Sequence, residues 1–225
     1  MVRAGLTGSL GSGKTTVAAV FRERGLHVLE ADAIARAMMQ PGHDVFRRIV
    51  ECFGPSVVRP DGSLDRASLA TLAFSQGRLN DLNRIVHPPV IAEQERRSGE
   101  IFARDPGAIV VIESALVFEA EAWGTVPGWR QRFDRIVLVT APDELKVQRF
   151  LARTLRANAT PEERAAAERD ARRRLAAQLP DSVKIPQADF VIDNSGSLDA
   201  TRAQAERVAA KLEPLSRPPS PQANS

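Results

Sequence analysis

Val2-Arg3-Ala4-Gly5-Leu6-Thr7-Gly8-Ser9-Leu10-Gly11-Ser12-Gly13-Lys14-Thr15 is the stretch on which the reading of this chain turns. Residues 2–6 read as a short buried strand, and Val17, Val20 and Phe21 recur behind the glycines at helical spacing. The glycines therefore lie between a strand and a helix, as the phosphate-loop pattern G-x-x-x-x-G-K-[ST] requires. Glycines let the backbone turn tightly and aim successive N–H groups inward, and the helix N-terminus adds partial positive charge. Lys14 supplies a full charge for β- and γ-phosphates, and the Thr15 hydroxyl is suited to Mg²⁺.

The rest of the composition is compatible with that start. A length of 225 residues suits one α/β domain carrying insertions, or a core with a small lid. No long uncharged apolar run predicts a membrane span, and the chain enters its first strand at once, leaving no room for a leader peptide. Cys52 is the single cysteine, which excludes an internal disulfide and a cysteine-based metal cluster, and a cytoplasmic location is expected. The formal charge of +3 is small for a nucleic-acid binder, and Tyr is absent, so base-stacking platforms are not expected. The pairs Arg47-Arg48 and Arg96-Arg97 read as solvated helix faces.

Along the chain, residues 27–30 form a second strand and 31–36 begin a helix. Asp32 lies just past a parallel strand, at the sheet edge where α/β proteins bind ligands, but is equally a helix N-cap or first-turn carboxylate. Arg36, one turn on, could face the same ligand or pair with Asp32. Residues 41–104 read as a helical insertion: a stripe through Val45, Ile49 and Phe53, short helices over 64–74 and 79–86, and a further helix over 90–102. Pro88 and Pro89 are expected to break the last two apart and to leave His87 extended. His87 is either an acceptor contact or a capping or buried structural histidine. Residues 108–113 make an interior strand with Glu113 at its C-terminal end, where phosphate-loop enzymes commonly order Mg²⁺. Residues 123–132 read as a loop rich in Gly and Pro. A fourth strand (133–139) leads into a helix on which Arg149 and Arg153 share a face. Thr160-Pro161-Glu162-Glu163 is a capping-box start for a charged helix to about residue 179. This pair of helices reads as a lid, which brings arginines onto phosphates and excludes water when it closes. A fifth strand (188–192) and a closing helix (198–212) follow, and 214–225 has the composition of a disordered tail.

The expected architecture is α/β of the three-layer P-loop NTPase type, with an open five-stranded parallel sheet and helices on both faces. It forms a single kinase domain over 1–213. The core takes 1–40, 105–141 and 185–213, the acceptor-binding insertion 41–104 and the lid 142–184.

These motifs together resemble the dephospho-CoA kinase family, from residue 2 to about 211. The resemblance rests on the phosphate loop, on Glu30-Ala31-Asp32-Ala33-Ile34-Ala35-Arg36, and on Phe53-Gly54 followed by Asp61-Gly62-Ser63-Leu64-Asp65-Arg66. It continues through Leu82-Asn83-Arg84-Ile85-Val86-His87-Pro88, Leu116-Val117-Phe118-Glu119, Ala176-Ala177-Gln178 and the segment 188–196. It implies phosphorylation of the ribose 3′-hydroxyl of dephospho-CoA by ATP, the final step of coenzyme A biosynthesis. It also implies site residues. Gly11, Ser12, Gly13, Lys14, Thr15 and Thr16 hold ATP, and Thr15 and Glu113 serve Mg²⁺. Asp32 takes or orients the acceptor proton, and Arg149, with Arg153, neutralises the transferred phosphoryl group. Asn194 contacts the adenine or its ribose, while Arg36, Arg84 and His87 belong to the acceptor side. The chain departs from its relatives at Glu113-Ser114-Ala115, where they usually carry an Asp and a following Pro. A monomer without membrane or nucleic-acid partner is expected. The alternatives are another small-molecule kinase on the same sheet and a nucleotide-dependent switch; the guanine-specific N-K-x-D segment of GTPases is absent.

Overall fold

The computed structural model describes residues 1–75, 77–122, 126 and 128–216. Its centre is a five-stranded sheet of order β2-β3-β1-β4-β5, built from β1 (Val2–Thr7), β2 (His27–Glu30), β3 (Ile109–Glu113), β4 (Arg135–Thr140) and β5 (Phe190–Asp193). Every neighbouring pair is parallel. Parallel strands need covered faces, and the inner strands are accordingly apolar at consecutive positions. In β3 and β4, Val111, Val137 and Val139 enter one core with Leu6, Val17 and Phe21, while Val110, Ile112, Ile136 and Leu138 enter the other. The first core is closed by α1 (Lys14–Glu23) and α10 (Leu198–Ser216), with Leu212 fully buried. Asp32, Glu113, the phosphate loop and Asn194 all follow strand C-termini, so the topology brings them to one edge of the sheet.

Between β2 and β3 lie α2 (Ala31–Met38), α3 (Asp44–Phe53), α4 (Arg66–Ser75) and α5 (Leu79–Arg104). They pack around a core of their own, in which Val45, Ile49, Phe53, Leu64 and Val86 meet Ile34 of α2. The expected break at Pro88 does not occur: α5 runs unbroken through Pro88 and Pro89. Two prolines remove two backbone donors, which ordinarily kinks or ends a helix. Here Ile85, Val86 and Val90 are buried on one side, while Pro88 and Arg84, whose carbonyl that proline would otherwise serve, are exposed to water. Packing on both sides of the step outweighs local propensity.

After β3 come α6 (Glu119–Ala122), then β4 and α7 (Asp143–Thr154), α8 (Pro161–Ala176) and α9 (Asp181–Lys184). The capping box at α8 forms as its sequence predicts: Glu163 N–H donates to Thr160 Oγ1 at 3.2 Å and Thr160 N–H to Glu163 Oε2 at 2.8 Å. The helix ends at Ala176, three residues before the expected end, ahead of Pro180. Helix α10 continues to Ser216, past the expected start of the tail; 217–225 lie outside the described residues, as do residues 76, 123–125 and 127 in two expected turn regions.

Candidate active site

The phosphate loop links β1 to α1 through backbone conformations that only glycine adopts easily. Gly11 and Gly13 have φ of +71° and +98°. Space makes the same demand: a Cβ at Gly11 would overlap the Lys146 carbonyl oxygen, and one at Gly13 the Asn194 amide. Helix α1 starts at Lys14 with no side-chain cap. The N–H groups of Gly11, Gly13, Lys14 and Thr15 find no acceptor among the described residues. Unpaired donors at a helix N-terminus are an anion site. The Lys14 ammonium curls over the same loop, donating to the Gly8 carbonyl at 2.8 Å and the Ser9 carbonyl at 3.4 Å. Burial holds its pKa below that of an ordinary lysine, although Glu113 and Asp32 favour its charged form.

Glu113 faces this cluster from the end of β3, in register with Leu6 and Glu30. Burial pushes its carboxyl up; Lys14 opposes that shift, and Asp32 and Glu30 reinforce it. Three carboxylates thus share one field, one of them, Glu30, already paired with Arg22. Asp32 occupies the first turn of α2. Arg36 donates its Nε to the Asp32 carbonyl at 3.1 Å, not to the carboxylate, which is exposed. The Asp32–Arg36 pairing considered from the sequence is therefore a backbone contact.

A cavity of about 290 Å³ opens beside Asp32, between α2, α5 and the segment after β3. One face of α5 lines it through Asn83, Val86, His87, Val90 and Gln94, spaced as a helical stripe. Leu116 and Phe133 also line it, as do Arg66 and Arg132, the latter paired with Glu95 at 2.6 Å. Asn83 Nδ2 and His87 Nδ1 are buried without a hydrogen-bond partner. Buried polar atoms of this kind are rare and call for a ligand or water. Burial also lowers the His87 pKa, so the imidazole facing the cavity is neutral at pH 7. Of the expected acceptor residues, Asp32 and His87 meet at this cavity. Arg84 and Arg36 do not form its wall: Arg84 lies on the opposite, exposed side of α5. Asn83, Gln94, Arg66 and Arg132 were missed. Asn83 and Arg66 stood in the Leu82–Pro88 and Asp61–Arg66 motifs, but Arg132 reaches the cavity only through tertiary packing.

On the far side of the loop, Arg149 of α7 donates Nη2 to the Asn194 carbonyl at 2.9 Å and keeps Nη1 buried without a partner. Arg153 is exposed on the same helix, near enough that its charge lowers the Lys14 pKa. Asn194 differs from the expectation of an adenine contact. Its Nδ2 donates to the Ser12 carbonyl at 2.8 Å and its Oδ1 accepts from the Thr201 hydroxyl at 2.7 Å, so the buried amide is committed to holding the loop. Thr15 and Thr16 lie in the first turn of α1, with Thr15 exposed. Among the described residues no group of three or more His, Cys, Asp or Glu could hold a metal alone. Mg²⁺ does not need one: it keeps waters and takes phosphate oxygens with one or two protein oxygens. The Thr15 hydroxyl and the Glu113 carboxylate are hard donors of that kind, and Asp32 and Glu30 add negative charge beside Glu113 that a cation would relieve.

A model of the dephospho-CoA kinase family matches residues 2–200. The chain is 37% identical over 214 residues to a dephospho-CoA kinase of Corynebacterium glutamicum, covering 94% of this chain and 98% of that protein. It is 43% identical over 203 residues to one from Symbiobacterium thermophilum, covering 90% and 77%. A crystal structure from Thermus thermophilus superposes with a TM-score of 0.70 at 33% identity, covering 94% of this chain and 97% of that one. The dephospho-CoA kinase of Campylobacter jejuni shares the fold at a TM-score of 0.65 and 19% identity, over 96% and 98%.

Proposed function

The chain belongs to the dephospho-CoA kinase family, and from that footing we propose that it transfers the γ-phosphoryl group of ATP to the ribose 3′-hydroxyl of dephospho-CoA, giving coenzyme A and ADP. The observation that carries this reading is the junction of two sites. Asp32 lines a cavity holding buried polar atoms without partners among the described residues, and its charge reaches Lys14 of a loop with four N–H groups likewise without acceptors among them.

The amides of Gly11, Gly13, Lys14 and Thr15 and the Lys14 ammonium hold the ATP phosphates, with Ser12 and Thr16, whose own N–H groups serve Ser9 and Gly13, completing the loop. The acceptor occupies the cavity, with Asn83 and neutral His87 offering hydrogen bonds and Arg66 and Arg132 offering charge to its phosphates. Its 3′-oxygen attacks the γ-phosphorus, the bond to the bridging oxygen breaks, and ADP leaves with that electron pair. Asp32 accepts the proton from the 3′-hydroxyl or holds the hydroxyl in line; in a loose transfer, positioning matters more than basicity. Arg149 turns its unpaired Nη1 to the phosphates, Arg153 adds charge, and Lys14 follows the γ-phosphoryl group. Thr15 and Glu113 would hold Mg²⁺, which when bound would supply charge neutralisation for the transferred phosphoryl group. The same reading takes residues 41–104 as the acceptor-binding insertion and 142–184 as a lid, in a protein that works as a cytoplasmic monomer.

The test is acceptor choice. With Mg²⁺ and ATP present, ADP release is followed on adding dephospho-CoA, a nucleoside or RNA. Release with dephospho-CoA well above the others is expected; equal or greater release with a nucleoside would assign the cavity to a different acceptor.

A further inference from the structure

Two buried lysines, one buried carboxylate and one partly buried one near the loop have no part in that mechanism. Lys184 and Glu119 are both fully buried, with Nζ and Oε1 2.6 Å apart. Lys146 is 2% exposed and reaches Asp181 at 2.7 Å. Ion pairs removed from water carry a large desolvation cost and are weak evidence of stabilisation. Their neighbours are more telling.

Ser9, Leu10 and Gly11 of the phosphate loop each meet the root of the α7–α8 hairpin. The Ser9 hydroxyl donates to Asp181 Oδ1 at 3.0 Å, and Lys184 Nζ donates to the same hydroxyl oxygen at 3.3 Å. The Leu10 N–H donates to Gln178 Oε1 at 2.9 Å, and the Leu10 side chain packs with Val147, Phe150 and Leu175. Gly11 lies against the Lys146 carbonyl so closely that no side chain fits. Behind these contacts the root is itself fixed. Asp181 also accepts from the Thr140 hydroxyl at the end of β4, Gln178 Nε2 donates to the Ala115 carbonyl at 3.4 Å, and Glu119 Oε1 accepts from Leu179 N–H at 3.1 Å. Burial raises the Asp181 carboxyl, but the hydrogen bonds from Lys146, Thr140 and Ser9 and the Lys146 charge outweigh it and hold it below the ordinary aspartate range. It stays ionised, as an acceptor of three donors must.

We propose that Gln178 and Asp181 are positioning residues for the nucleotide. They fix the Ser9–Gly11 half of the loop from the C-terminal root of the hairpin, opposite to Asn194, which fixes Ser12 from the other side. Residues 178–184 therefore belong mechanically to the phosphate loop, and any moving part of the lid ends before Gln178. The inference rests on the reading of this loop as the ATP site.

Gln178→Ala removes a partly exposed amide, which accepts from Leu10 N–H and donates to the Ala115 carbonyl, and is the variant of choice because it leaves no buried charge unpaired. Equilibrium binding of ATP, ADP and AMP, and of dephospho-CoA, is measured on wild type, Gln178→Ala and Gln178→Glu, with circular dichroism as the check on folding. In Gln178→Ala, affinity for ATP and ADP should fall about three- to ten-fold, the range for one lost hydrogen bond. AMP, which places no phosphate at the β position, and dephospho-CoA should be unaffected. Gln178→Glu keeps the acceptor for Leu10 N–H but loses the donor to the Ala115 carbonyl and adds a negative charge beside the loop, so ATP and ADP should again weaken more than dephospho-CoA. Unchanged ATP affinity in Gln178→Ala, or equal weakening for AMP and dephospho-CoA, would overturn the positioning role. A folded wild type that binds no ATP would instead overturn the reading beneath it.

Discussion

Asp32 combines an exposed carboxylate, a place on the acceptor cavity and a share in the electrostatic field of Lys14 and Glu113. Asp32→Asn should fold and bind ATP but transfer phosphate at least ~10²-fold more slowly, as expected for loss of a positioned proton acceptor; near wild-type turnover would remove it from the chemistry. Glu113→Gln keeps the shape and loses the charge. Half-maximal activity should then need more Mg²⁺ at fixed ATP, and an identical Mg²⁺ titration would leave Glu113 a strand-end carboxylate. For His87 the readout is stability. Burial lowers its folded pKa, so below about pH 6.5 the unfolded chain takes up a proton that the folded one refuses. Stability should fall as pH drops through that window, and urea unfolding of His87→Gln should show a smaller loss between neutral and mildly acid pH. Equal losses in the two proteins would contradict this. Asp32, Lys14 and Glu113 were legible in the sequence because each sits at a fixed place after a strand of the sheet. Arg84 and His87, neighbours in one motif, lie on different sides of α5, and burial alone decides which side lines the cavity.

At the scale of elements, the phosphate loop and the α8 capping box were readable from local pattern because their geometry depends on a few adjacent residues. The unbroken α5 was not, because packing around Ile85, Val86 and Val90 supplies what Pro88 and Pro89 withhold. Nor was the brace under the phosphate loop, whose partners lie far apart in sequence: Asp181 and Ser9 are joined by a hydrogen bond across 172 positions. Gln178 and Glu119 stood in family motifs, yet only the structure shows the one on Leu10 N–H and the other on Lys184. Lys184→Met would strand the Glu119 carboxylate in the interior and should cost about 3–5 kcal/mol in urea unfolding. Adding Glu119→Gln, which still accepts from Leu179 N–H, should recover most of that loss. A double variant no more stable than the single one would show that the pair is not what the site depends on.

For the molecule as a whole, the sheet order places two binding regions at one edge, and each is completed by an insertion. The helices between β2 and β3 carry a core of their own and one wall of the cavity, while the hairpin between β4 and β5 supplies Arg149 and braces the loop. Asp32 stands at the seam between the two. Such a layout serves transfer between two bound molecules, and that is what must be measured. Wild-type protein with Mg²⁺, ATP and dephospho-CoA is assayed for ADP and coenzyme A in the same reaction. The account predicts coenzyme A formed in step with ADP, one for one, with neither product appearing above background when dephospho-CoA is left out. Folded protein that binds ATP but makes no coenzyme A would contradict it, and would make Glu113-Ser114-Ala115, at the end of β3 beside the cavity, the first place to look for a different acceptor.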